Sequence, residues 1–259
     1  MKMNPRQSWY CRLTATAVTA ICLLSVFPVL SAAPDSPATE LNADVITYSA
    51  GTGVITATGG LRMTQGATVM TGDAGEYNVN DKSAVVTGNV KMVKETGTLT
   101  ASKIESFDNM SRFVAIGNAL LIHSAGSVAG PRMDYTPASR YASVTGGARL
   151  VNRDAVITAG SVEAFFNEDR ATAAGSVHIV SEARQLDAVS DHAAYTGLNG
   201  KNGRAELTGN VRAVQGAAVL TGNHVLLYME DSSMNTQGRS KLVMEPKQEE
   251  KQEPRKDKP

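Results

Sequence analysis

Apolar and polar positions alternate with a period of two along most of this chain, and the alternation itself repeats. A glycine closing a short apolar and threonine-rich run recurs at Gly59, Gly88, Gly117, Gly146, Gly175 and Gly209, at intervals of 29 residues four times and then 34. Two positions before it stand Ala57, Val86, Ala115, Val144, Ala173 and Leu207, and two after it Leu61, Val90, Ala119, Ala148, Val177 and Val211. Four after it come Met63, Met92, Leu121, Leu150, Ile179 and Ala213. Apolar residues at i, i+2 and i+4 share one face of a strand, so each run predicts a β-strand with one buried side.

A second segment follows in each unit. It opens on an apolar column, Leu41, Met70, Leu99, Val128, Ile157, Leu186 and Leu220, with Ala or Gly two positions later. The apolar phase then slips and resumes at Ile46, Ile104, Met133, Val162 and Val225. A phase slip beside a small residue predicts a β-bulge or sharp bend in every repeat. Turn signals such as Gln65-Gly66 and Asn80-Asp81 separate the segments, and no stretch supports a long amphipathic helix. Both markers shift by five residues at the last interval, so one insertion is expected, at the Gly/Asn-rich segment from Gly197 to Gly203. The pattern predicts an all-β ladder of antiparallel strand pairs over residues 41–243, two strands per 29-residue repeat.

The two ends read differently. Lys2, Arg6 and Arg12 precede an apolar stretch from Leu13 to Leu30 and the small residues Ser31, Ala32 and Ala33, the layout of a secretory signal peptide over residues 1–32. Cys22 follows Ile21, an unsuitable residue before a lipid-modified cysteine. Residues 33–40 read as a linker, and 244–259, charged and nearly free of apolar side chains, as a disordered tail. Both cysteines, Cys11 and Cys22, lie in the signal, so the mature chain has no thiol for disulfides, catalysis or metal binding. With 25 basic and 25 acidic residues there is no excess positive charge for a nucleic-acid backbone.

Little in the sequence reads as chemistry. His123, His178, His192 and His224 fit no metal-ligand spacing. Acids at Glu76, Glu105, Asp134 and Glu163 recur once per repeat, which describes a solvated strand face better than a catalytic pair. A basic column at Arg62, Lys91, Arg149 and Arg212 faces away from the apolar one, as a solubilising outer face or a contact for anionic head groups. Neither an enzyme nor a cofactor is implied.

The motif Val-Thr-Gly-Asn-Val-Lys-Met at Val86–Met92, followed by Leu-Thr-Ala at Leu99–Ala101, resembles the unit of the OstA-like (LptA) family, as does Leu-Thr-Gly-Asn-Val-Arg at Leu207–Arg212 followed by Leu-Thr-Gly at Leu220–Gly222. These are periplasmic lipopolysaccharide-transport proteins. The resemblance implies an open, twisted antiparallel β-jellyroll whose groove holds lipid A acyl chains. It also implies head-to-tail homo-oligomers that bridge inner- and outer-membrane transport components. On that reading the lipid-facing residues are Leu61, Met63, Val90, Met92, Leu121, Leu150 and Ile179 of the first strands. The second strands add Ile46, Ile104, Met133, Val162 and Val225, in a groove kept roomy by the scarcity of aromatics, 5% of the chain. An inner-membrane-anchored relative that receives lipid, or a secreted β-solenoid with a dry, filled core, fits the same repeat.

Overall fold

The computed structural model describes residues 37–95 and 97–244, so the expected signal peptide and most of the charged tail lie outside the described residues. The described chain is a single 16-stranded antiparallel sheet in which sequential strands are spatial neighbours. It opens with two short strands, β1 (Thr39–Asn42) and β2 (Val45–Ser49), both paired to β3 (Val54–Gln65). The ladder continues through β4 (Thr68–Asn78), β5 (Ser83–Lys94), β6 (Gly97–Phe107), β7 (Arg112–His123), β8 (Gly126–Thr136) and β9 (Tyr141–Val151). After these come β10 (Val156–Phe165), β11 (Arg170–Ser181), β12 (Leu186–Thr196), β13 (Arg204–Gln215) and β14 (Ala218–Tyr228). Two short strands close the chain, β15 (Ser233–Thr236) and β16 (Ser240–Met244), both paired to β14. The all-β antiparallel architecture and the two-strand repeat are those the alternation predicts.

The predicted bulge is present in each long hairpin and lies on both of its strands. Thr58 pairs with Ala74 and Leu61 with Gly72, leaving Gly59 and Gly60 opposite the single residue Asp73. Two extra residues preserve the in-out parity of β3, whereas one extra residue inverts that of β4. This mismatch is the physical origin of the phase slip: on β6 the buried side chains run Leu99, Ala101, then Ile104 and Ser106. Gly88 shows why glycine marks the position. Its φ is +79°, and a Cβ there would stand 2.1 Å from Asp73 Oδ2. The residue after it, Asn89, is also left-handed at φ +46°.

Two repeat features depart from the sequence reading. The five-residue excess is not a single loop. Leu150 pairs with Ile157, but one repeat later Ile179 pairs with Ala188, not with Leu186. Two of the added residues therefore lengthen the β11–β12 hairpin, which turns through the short 3-10 segment Glu182–Arg184, and the rest enlarge the 197–203 connection. The repeat also has a seventh marker glycine, Gly238, 29 residues after Gly209, with φ +88°. It separates β15 from β16, just as residues 43 and 44 separate β1 from β2, so the strands at both ends of the ladder are split at the bulge.

Each long strand thus has two arms on either side of the bulge, and their inward side chains form one hydrophobic core. A straight strand of 11 or 12 residues would hold its ends roughly 33–37 Å apart. Here opposite ends of the sheet meet. Gln65, at the β3–β4 end, donates from Nε2 to Asn109 Oδ1 (2.6 Å) in the β6–β7 turn at the other end. Three strands further along each time, His123 stacks on Phe166 (centroids 4.4 Å apart) and the Arg184 guanidinium donates to the Met229 carbonyl. The sheet is folded over along its line of bulges, and its two arms enclose the core.

Candidate functional site: the apolar interior and its seam

The interior is built from two kinds of column. On one arm stand Leu61, Met63, Val90, Met92, Leu121, Leu150 and Ile179, together with Met70, Leu99 and Val128 of the intervening strands; all are buried. On the other arm Ile104, Met133, Val162 and Val225 are buried among many alanines, with Phe113, Tyr135 and Tyr195 as the bulky members. Eleven of the twelve residues expected to face lipid therefore lie in one continuous apolar interior. The exception is Ile46. It pairs with Ala57 and belongs to the same column, but it sits on the outermost strand and is 46% exposed. Val225 lies on β14, flanked by β13 and β15, and the terminal edge belongs to β15 and β16.

The interior holds less space than the scarcity of aromatics suggests. Its column residues have almost no accessible surface, and cavities of about 650, 610 and 410 Å³ lie on the outer face or at the ends of the strands. Small alanines on one arm and leucines and methionines on the other are buried in the same cluster, so the columns pack as one core.

The seam where strand ends meet carries the polar contacts that sequence reasoning missed. Arg184 donates to Asp154 Oδ1 (3.0 Å) and to the Met229 carbonyl, and Ser181 Oγ donates to the Asp154 carbonyl (2.7 Å). The guanidinium and carboxylate are largely shielded, at 20% and 11% side-chain exposure. Tyr195 buries its hydroxyl nearby, beside Asn152, and burial pushes its pKa up to about 12. Elsewhere along the seam His123 lies against Phe166, and burial first, then the Arg140 charge, lowers its pKa below the ordinary histidine value. Both segments of the insertion end in this cluster, which borders a cavity of about 410 Å³ lined by Asp154, Arg184 and the 200–203 loop. The signal in the sequence was the insertion itself.

The outer face carries the charge. Arg62, Lys91, Arg149 and Arg212 are exposed on it, as the alternation requires. The acid column lies on the same face of the other arm, with Glu105 paired to Lys103 (2.6 Å) and Asp134 to Arg112 (2.8 Å). His178 and His224 meet Asp187 (3.1 Å) and Glu206 (2.7 Å).

Residues 36–160 match the family model described as OstA-like protein. No curated protein matches the chain. Among solved structures there is a match to the crystal structure of LptH, the LptA homologous periplasmic component of the conserved lipopolysaccharide transport device from Pseudomonas aeruginosa. The two are 11% identical, the match covers 81% of this chain and 96% of that one, and the TM-score is 0.17, too low to carry an argument about this chain.

Proposed function

We propose, from the match of residues 36–160 to the OstA-like family, a periplasmic lipopolysaccharide-transport protein that takes acyl chains between the two arms of its folded sheet. One observation carries the reading: a continuous apolar interior runs the length of the ladder, closed along its seam by side-chain contacts and no covalent link. An acyl chain entering there exchanges water for hydrocarbon at about 0.8 kcal/mol per buried methylene, enough to offset the parting of two aliphatic faces. Methionines at 63, 70, 92 and 133 are suited to repacking around a chain of variable course. The cargo class comes from the resemblance of the repeat motifs to the lipopolysaccharide-transport family.

The ends of the ladder support assembly into a longer conduit. Ile46, an inner-column residue, is exposed on β2, and at the other end Leu242, paired with Leu220, is 59% exposed on β16. A second copy added strand to strand would cover both and continue the interior, toward transport components in the inner and outer membranes.

The filled interior favours a second reading, a structural scaffold that binds no lipid. Purification from envelope extracts and mass spectrometry of co-purifying lipid separates the two. Stoichiometric lipopolysaccharide supports the carrier, and a lipid-free protein from intact envelopes supports the scaffold.

A further inference from the structure

On the outer face, the arm that carries the acid column does not treat its acids alike. Just past the bulge on β4, β6, β8 and β10, the residue two positions before the column acid faces the same way, and on two of the four it is a cation. On β6 this is Lys103, paired to Glu105 at 2.6 Å, and on β8 it is Arg132, within 3.9 Å of Asp134. On β4 and β10 the corresponding pairs are Ala74 with Glu76 and Ser161 with Glu163, and of these two carboxylates Glu163 is the one that borders a cavity. The cation is gone while the carboxylate remains, and Glu163 forms no ion pair among the described residues. It accepts hydrogen bonds from Tyr141 Oη (2.8 Å) and Thr172 Oγ1 (3.5 Å) instead. The neighbouring strands shrink in step, with Ser143 and Thr172 standing where β5 and β7 carry Val85 and Val114. The result is a cavity of about 650 Å³ floored by the alanines of β11 and β12. Its other carboxylate, Glu206, is already answered by Arg204 (3.2 Å) and His224 (2.7 Å). One uncompensated carboxylate therefore faces the space vacated by the cationic side chain.

We propose that this cavity binds a small hydroxylated primary amine of the amino-sugar class, with its ammonium group on Glu163 and its hydroxyls among Ser143, Ser161, Thr172 and Thr208. The ammonium takes the place of the missing Lys103-type side chain, through a charge-assisted hydrogen bond. The volume falls within the range of small-ligand sites, and the alanine floor offers a flat apolar surface to a ring. The site lies on the face opposite the apolar interior and does not depend on what that interior carries.

The test is a titration of the full chain, followed by calorimetry and by amide chemical shifts, with galactosamine against N-acetylgalactosamine, which keeps the ring and lacks the charge. Galactosamine is expected to bind saturably with a Kd on the order of millimolar, suited to a half-exposed ion pair. Glu163→Gln should weaken it by about tenfold. Ser161→Lys should abolish it, because it restores the internal pair seen at Lys103 and Glu105 and closes the cavity while keeping the fold. Equal binding of the two sugars, no saturable binding of galactosamine, or undiminished binding to Ser161→Lys would overturn the proposal. Should Glu163→Gln unfold the chain, Ser161→Lys alone decides.

Discussion

Alanine substitution at four marker glycines separates backbone strain from steric contact within one molecule. Gly88, Gly117, Gly146 and Gly175 all have φ between +79° and +82°, so each variant bears the same penalty for a Cβ in the left-handed region, about 1 kcal/mol. What the Cβ meets differs. At Gly88 it would stand 2.1 Å from Asp73 Oδ2 and 2.7 Å from Asp73 Cβ, and at Gly117 2.9 Å from Ser102 Oγ. At Gly146 the nearest atom is Pro131 Cγ at 3.3 Å, and at Gly175 it is the backbone of Gly160 at 3.7 Å. No rotamer change moves Asp73 Cβ, so Gly88→Ala also forces the backbone apart, at a further cost of about 2 kcal/mol. The expected losses are about 3 kcal/mol for Gly88→Ala, about 2 for Gly117→Ala, and about 1 for Gly146→Ala and Gly175→Ala. Urea unfolding midpoints at a common m-value read them directly. Equal losses at all four positions, or a larger loss at Gly175 than at Gly88, would refute the steric pairing across the bulge.

Three further outcomes follow from the ends and the seam. Ile46→Lys or Leu242→Lys places a charge on an exposed apolar edge and should shorten linear oligomers in light scattering at equal concentration; unchanged size would remove these edges from assembly. Arg184→Ala leaves the shielded Asp154 carboxylate and the Met229 carbonyl without their donor and should cost about 2 kcal/mol, a loss that a midpoint shift equal to that of a surface Arg→Ala would deny. His123 has its pKa lowered by burial and by Arg140, so between the ordinary histidine value and the folded one the unfolded chain binds more protons. Stability should therefore fall as pH drops from 7.5 to 5.5, and His123→Phe should flatten part of that slope; an unchanged slope would count against the half-buried, neutral ring.

Much of the fold was legible because it follows from local periodicity. The 29-residue interval, the buried columns and the slip after Ala101 all lie within one hairpin, where parity alone sets which face a side chain takes. The division of the insertion was hidden because Leu186 and Ala188 are both apolar and of the same parity, so column identity cannot tell which one faces Ile179. Gly238 was present at the right interval, but the split of β15 from β16 leaves too short an alternation on either side to stand out. The seam was not legible at all. Gln65 meets Asn109, and Arg184 meets Met229, across a three-strand offset set by how far the whole sheet folds over. The same long-range geometry buries the alanine and methionine columns in one cluster, in an interior that composition alone left open.

The central claim is that the inner columns, and not the outer face, hold acyl chains. A photo-crosslinking residue placed at Met92 or Leu121, both buried on the interior side, should capture lipopolysaccharide in intact cells. The same probe at Lys91 or Arg149, exposed on the opposite face, should not. Equal capture from both faces, or none from Met92 and Leu121, would contradict the account and leave the sheet a scaffold with a closed core.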